Sequence, residues 1–229
     1  MFDQMGRGMI PVVFDLDGTL IDSAPDIHAA VNATLRAAGK PTLSLDRVRL
    51  FIGGGVDVLW HKIVADLGVD PAARAELVAS FMTRYHQATA LTALYPGVVE
   101  ALGALADAGH PLALCTNKPM GPTRANLDHF GLGAVFPVVV AGDSLPQRKP
   151  APEPLWAAVT GLTDGDRTRA LYVGDSEFDA ACAASAGVPL LLFTRGYRQR
   201  PVADLPHAAS FGAFAELPAL VARMATAPA

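Results

Sequence analysis

Val12-Val13-Phe14-Asp15-Leu16-Asp17-Gly18-Thr19-Leu20 is the stretch that decides the fold. The apolar run from Ile10 to Phe14 predicts a buried strand, and it ends in two carboxylates and a glycine that supplies turn freedom. Carboxylates at the C-terminal end of a central strand lie where open α/β sheets hold their chemistry. A period of two puts Asp15 and Asp17 on one side of the chain and Leu16 on the other. Two like charges that close are unfavourable unless a cation or a shared proton offsets them. The stretch therefore implies a metal site, a proton-sharing pair, or both.

Just beyond it, Asp22-Ser23-Ala24-Pro25-Asp26 reads as a helix start, with Ser23 as N-cap and Asp26 three residues on. Ile27, Val31, Leu35 and Ala38 then fall at helical spacing. Leu59, Trp60, Ile63, Val64 and Leu67 form a second stripe, and Leu77, Val78, Phe81, Met82 and Tyr85 a third. No strand is predicted up to Leu94, so this block reads as a helical unit inserted after the first strand. Tyr95-Pro96-Gly97 marks the return. Strands at Leu112–Cys115, Val138–Val140, Ala170–Val173, Pro189–Phe193 and Ala208–Phe211 then alternate with helices at 121–130, 152–159 and 176–186 and a last one ending near Met224. This order predicts an α/β, Rossmann-like, mostly parallel sheet with helices on both faces. Residues 1–22 and 95–229 form the expected core, and 23–94 the inserted helical domain.

Of the 229 residues, 51% are hydrophobic and 17% charged, enough apolar material for a substantial core. A net charge of −4 favours neither nucleic acid nor an anionic membrane. The densest basic stretch, Arg195-Gly196-Tyr197-Arg198-Gln199-Arg200, reads as a solvated loop. Cys115 and Cys182 have no CxxC spacing and read as packed, reduced thiols. The polar opening Met1–Gly8 lacks a secretory leader pattern, and no run reaches the length of a membrane span. A cytoplasmic protein, monomer or homodimer, is the expectation.

Each predicted strand end carries polar groups. After Cys115 come Thr116, Asn117 and Lys118; after the third strand come Arg148, Lys149 and Pro150; after the fourth come Asp175, Ser176, Glu177 and Asp179. Asp175 and Asp179, four apart across a helix start, share a face. Either one also suits a helix N-terminus as a cap. Four carboxylates converging on one crevice call for a hard divalent cation, and Mg²⁺ prefers oxygen ligands. Thr116, Asn117 and Lys149 together supply a hydroxyl, amides and a fixed cation, which is a phosphate cradle. Gly53-Gly54-Gly55 lacks a dinucleotide fingerprint, and there is no Walker lysine motif. No pair among the six histidines has metal-ligand spacing.

Taken in order, Asp15-x-Asp17-Gly18-Thr19, Thr116-Asn117, Lys149-Pro150 and Gly174-Asp175-x-x-x-Asp179 resemble the four motifs of the haloacid dehalogenase superfamily, over nearly the whole chain. The insertion is similar to that family's C1-type cap. Asp22–Asp26, Ile52–Gly55 and Thr116–Pro119 resemble its phosphoglycolate phosphatase branch. The resemblance implies that Asp15 is the nucleophile and forms an aspartyl-phosphate. It implies Mg²⁺ held by Asp15, the Asp17 main-chain carbonyl and Asp175, and Asp17 as general acid and then base. Thr116, the Asn117 backbone and Lys149 would hold the phosphoryl group, with Asp179 orienting Lys149 or a metal-bound water. Gly54, beside a helix start, and Lys118 are candidates to meet a substrate carboxylate. The implied substrate is a small phosphorylated metabolite, 2-phosphoglycolate first. Dehalogenases of the superfamily lack the acid at Asp17, so an alkoxide leaving group is expected.

Other phosphatases, acting on sugar phosphates, nucleotides or pyrophosphate, carry the same motifs, as does a sugar-phosphate mutase. A phosphonate hydrolase would need a Schiff-base lysine from the cap, and neither Lys40 nor Lys62 sits in a suitable motif. A silent relative that only binds a phosphorylated ligand or a protein would not require the full catalytic set.

Overall fold

The computed structural model describes residues 9–163 and 169–226. The leader reading at Met1–Gly8 lies outside the described residues. Strand β1, Val12–Phe14, is short, β-branched and aromatic, and buried on both faces. Val12 and Phe14 pack into one apolar layer with helices α5 (Val98–Asp107) and α9 (Leu217–Thr226). Val13 packs into the opposite layer with α7 (Glu153–Thr163) and α8 (Glu177–Ala186). Helix α6 (Met120–His129) contributes Leu127 to the first layer.

The other strands of the sheet are β4 (Leu112–Cys115), β5 (Val138–Val140), β6 (Leu171–Gly174), β7 (Leu190–Phe193) and β8 (Ala209–Phe211). Their order is β5-β4-β1-β6-β7-β8, and every pairing is parallel. The chain leaves β1, builds β4 and β5 on one side, then crosses to β6 on the other. This reversal puts the topological switch point at β1, with the ends of β4 and β6 flanking Asp15.

The predicted strand boundaries match within two residues, and the helix-on-both-faces arrangement is the observed one. Four elements were not expected. Strand β3, Ala93–Leu94, pairs antiparallel with β2, Ile21–Asp22, so the inserted block does contain a strand. Each has two residues, too short to show a period in sequence. Helix α2, Leu45–Arg49, is one turn and a fraction. Helix α5 has no predicted counterpart, although Gly97, at φ 84°, starts it at the return marked by Tyr95-Pro96-Gly97.

Between β2 and β3 run α1 (Ala24–Ala37), α2, α3 (Val56–Asp66) and α4 (Arg74–Tyr85). The three predicted stripes become one apolar cluster, with the ring of Trp60 edge-on to Phe81 at 5.7 Å and Phe81 stacked on Tyr85 at 4.7 Å. Tyr197, from the loop after β7, is buried in the same cluster. Among the described residues no helix is long and apolar enough to cross a membrane.

Candidate active site

Asp15 sits immediately after β1, 6% exposed, its N–H bonded to Val173 O. The buried ammonium of Lys149 lies 2.9 Å from Asp15 Oδ1 and 2.7 Å from Asp179 Oδ1. It also donates to the Tyr172 hydroxyl at 2.9 Å and to Cys115 O at 3.2 Å. The approach to Asp15 is an ion pair but not an aligned hydrogen bond, and Asp15 Oδ1 has no hydrogen-bond donor of its own. Burial, and then the charge of Asp179, push the Asp15 carboxyl up to about 7 against the pull of Lys149. Burial alone would lower Lys149; the two carboxylates hold it above the usual lysine range.

Asp179 contacts both the start of α8 and Lys149. Its Oδ2 accepts from the Ser176 hydroxyl (2.6 Å), Ser176 N (3.0 Å) and Asp175 N (3.2 Å), closing a capping box on α8. Its Oδ1 accepts from Lys149 and from the Tyr172 hydroxyl, both at 2.7 Å. Burial raises this carboxyl, but Lys149, Ser176 and Tyr172 outweigh it and hold the group below the ordinary value. Five donors leave Asp179 little capacity for a metal.

Asp175 accepts from the Thr19 hydroxyl at 2.7 Å and from Tyr197 N at 2.6 Å. It is wedged between Gly18, at φ 85°, and Gly196; a Cβ on either would collide with its carboxylate. Burial first, then Asp179 and Asp15, push it far above the ordinary range. Ligand oxygens of Asp15, Asp175 and Asp179 lie within 4.8 Å of one another. Three buried carboxylates here face one buried ammonium, and an acceptor on Asp15 lacks a hydrogen bond. Excess negative charge, oxygen donors and an unsatisfied carboxylate atom fit a hard divalent cation held chiefly by Asp15 and Asp175.

Asp17 turns toward the inserted helices. Its Oδ1 accepts from the Ser23 hydroxyl at 2.5 Å and from Lys118 Nζ at 2.8 Å. The helix-start reading of Ser23 needs correction here. Ser23 occupies the N-cap position of α1, but its side chain makes no capping bond because its hydroxyl is committed to Asp17. Nor does Asp26 close a box: its Oδ2 accepts from Leu91 N and the Thr92 hydroxyl, tying the start of α1 to the approach of β3.

The Asn117 side chain is a clamp. Its amide donates to Lys149 O and to Gly53 O, each at 3.0 Å, and its oxygen accepts from Lys149 N at 3.0 Å. Its main-chain N–H donates to no other described residue. Thr116 follows β4, and its hydroxyl oxygen accepts from Lys118 N at 3.2 Å.

A cavity of about 40 Å³ joins these groups, lined by Asp15, Asp17, Thr116, Asn117 and Lys118 from the sheet edge and by Ile27, Ile52, Val56, Leu59, Phe81 and Tyr85 from the insertion. The glycines that line it are Gly53 and Gly55, on either side of Gly54. A Cβ at Gly54 would collide with the side chain of Val58. Lys118 lines the cavity, but it is 4% exposed and already paired with Asp17 and with the Tyr85 hydroxyl, at 2.6 Å. Burial would lower its ammonium, and these two partners more than reverse that.

The family model for haloacid dehalogenase-like hydrolases matches residues 12–193, a span that contains every one of these motifs. The chain belongs to this family. It is 50% identical over 213 residues to a phosphoglycolate phosphatase of Cereibacter sphaeroides, covering 92% of this chain and 96% of the relative. To the phosphoglycolate phosphatase of Rhodobacter capsulatus it is 45% identical over 212 residues, 92% and 95% of the two chains. The crystal structure of a predicted phosphoglycolate phosphatase from Haemophilus somnus superposes with a TM-score of 0.87 at 32% identity, covering 95% of this chain and 99% of that one.

Tyr85, Tyr172 and Tyr197 escaped the sequence reading. Tyr85 closes a helical stripe and Tyr172 sits inside an apolar strand, so both look like core; Tyr197 hides in the basic stretch read as a solvated loop. Their hydroxyls meet partners from 7 to 175 positions away, a separation no local pattern encodes.

Proposed function

We propose that this chain is a Mg²⁺-dependent phosphatase that hydrolyses 2-phosphoglycolate to glycolate and phosphate through an aspartyl-phosphate on Asp15. The observation that carries the reading is the buried Asp15 carboxylate at the switch point, paired with Lys149 and facing a small cavity walled by the inserted helices. Residues 1–22 and 95–229 then form the catalytic core and 23–94 the cap. The names of the relatives at 45–50% identity support the substrate.

An Asp15 oxygen attacks phosphorus as the bond to the glycolate oxygen breaks. Lys149 offsets the charge of the phosphoryl oxygens, which the Thr116 hydroxyl and the Asn117 main-chain N–H receive. Asp179 and Tyr172 hold the ammonium of Lys149 in place. Asp15, the Asp17 carbonyl and Asp175 would hold Mg²⁺, which when bound offsets the repulsion between a carboxylate and a phosphate dianion. Asp17 gives its proton to the departing alkoxide, then takes one from the water that attacks phosphorus and frees Asp15. Ser23 and Lys118 both engage Oδ1 of Asp17, and no described residue donates to its Oδ2. The cap excludes water, with hinges near Asp22-Ser23 and Tyr95-Pro96-Gly97.

The test is phosphate release with Mg²⁺ from 2-phosphoglycolate, β-glucose 1-phosphate, pyrophosphate and nucleoside monophosphates. The expected result is 2-phosphoglycolate first in kcat/KM. A rank far below another compound would overturn the substrate, and conversion of β-glucose 1-phosphate without phosphate release would make the protein a mutase.

A further inference from the structure

Besides the main chain at Gly53 and Gly55, the cavity wall contributed by the insertion has one polar side chain. Ile27, Ile52, Val56, Leu59 and Phe81 offer nothing to an ion, whereas Tyr85, at the end of α4, brings a hydroxyl to Lys118. That hydroxyl accepts from Lys118 at 2.6 Å and donates to no other described residue. The Lys118 ammonium uses two of its three hydrogens, on Asp17 and on Tyr85. It lies 4.8 Å from the centroid of the Tyr85 ring, which itself is stacked on Phe81 at 4.7 Å. Two donors, the Tyr85 O–H and the third Lys118 N–H, therefore adjoin the same cavity as Asp15. A carboxylate is a two-oxygen acceptor of matching chemistry, and an apolar surround strengthens such bonds.

We propose that Tyr85 is the specificity-determining residue with which the inserted helices read a second anionic group on the substrate, acting together with Lys118. This rests on the phosphatase reading above and adds the class of substrate tail that the site selects. A neutral tail of the same length leaves both donors without an acceptor, a buried loss that binding must absorb. The tail is held between Tyr85 on α4 and Lys118 on the sheet edge, so its recognition needs both the insertion and the sheet.

The experiment compares 2-phosphoglycolate, 3-phosphoglycerate and the neutral-tailed 2-hydroxyethyl phosphate on the wild type and Tyr85→Phe, with Mg²⁺. Phenylalanine keeps the ring that stacks on Phe81 and faces Lys118 and removes only the hydroxyl; a thermal melt of each protein checks the fold. The wild type is expected to prefer an acid-tailed ester. Tyr85→Phe should cut that preference about tenfold, the size of one hydrogen bond to a charged group, and mostly through KM. Equal losses on acid-tailed and neutral-tailed esters, or an unchanged preference, would overturn the role of Tyr85. If 3-phosphoglycerate is preferred over 2-phosphoglycolate and Tyr85→Phe erases that preference, the 2-phosphoglycolate reading falls and the inference about Tyr85 stands.

Discussion

The two walls of the cavity are built on different principles. The sheet edge is a lattice of buried charge: Lys149 alone meets Asp15, Asp179, Tyr172 and Cys115, and Asp179 accepts five bonds. The opposite wall is side-chain hydrocarbon from α1, α3, α4 and Ile52, the main chain at Gly53 and Gly55, and one side-chain hydroxyl, that of Tyr85, reaching Lys118. The first is preorganised for one reaction centre, and its polar groups are too interdependent to vary singly. The second can change shape and polarity without touching the reacting atoms. On the proposed function, chemistry belongs to the sheet edge and choice of substrate to the insertion.

That contrast can be broken from either side. Lys149→Met removes the only ammonium among Asp15, Asp175 and Asp179, and should cost about 3–5 kcal/mol of stability as well as nearly all turnover, read by denaturant melts and phosphate release. A stable, active Lys149→Met protein would show that the sheet edge is not a charge lattice. Asp17→Asn should slow every substrate alike, by about 10²–10⁴-fold, because proton transfer does not depend on the tail of the ester. A loss confined to one substrate would move Asp17 from chemistry to recognition.

A smaller effect separates folding from catalysis. Burial and Asp179 raise Asp15 from an ordinary 3.8 to about 7, so the folded chain holds this proton more tightly than the unfolded one. The stability it contributes is complete below the unfolded value and is lost as pH rises through about 7. Metal-free protein should therefore melt several degrees lower at about pH 8 than at about pH 5, and Asp15→Asn should flatten that slope. Identical slopes in the two proteins would mean that Asp15 does not carry the excess charge. Smallest of all, Tyr197→Phe deletes the bond its hydroxyl donates to Asp22 and the one it accepts from Ala24 N, but keeps its ring in the apolar cluster and its N–H on Asp175. A loss of about 1 kcal/mol in stability is expected.

The sheet edge was also the wall that the sequence made legible. Carboxylates, a lysine and a threonine placed just after apolar runs are improbable as plain loops, and strand order brings them together. Asp15, Lys149, Asp175 and Asp179 accordingly fall around one point, and Thr116 lines the same cavity as Asp15. The insertion was legible only as helical stripes. Helical periodicity reports which side of a helix is apolar, not which apolar residue faces a cavity, so Tyr85 read as core. Ser23 shows the same limit from the polar side: the N-cap position is real, but the hydroxyl is spent on Asp17. The β2–β3 pair joins residues more than 70 positions apart through two residues each, which gives no local signal.

The most direct test compares phosphate release from 2-phosphoglycolate by the wild type and by Asp15→Asn, each with Mg²⁺ and each shown to be folded by its melt. The wild type should turn over, and Asp15→Asn should fall to background while remaining folded. Wild-type rates in a folded Asp15→Asn protein would contradict the assignment of Asp15 as nucleophile and with it the whole account of the sheet edge.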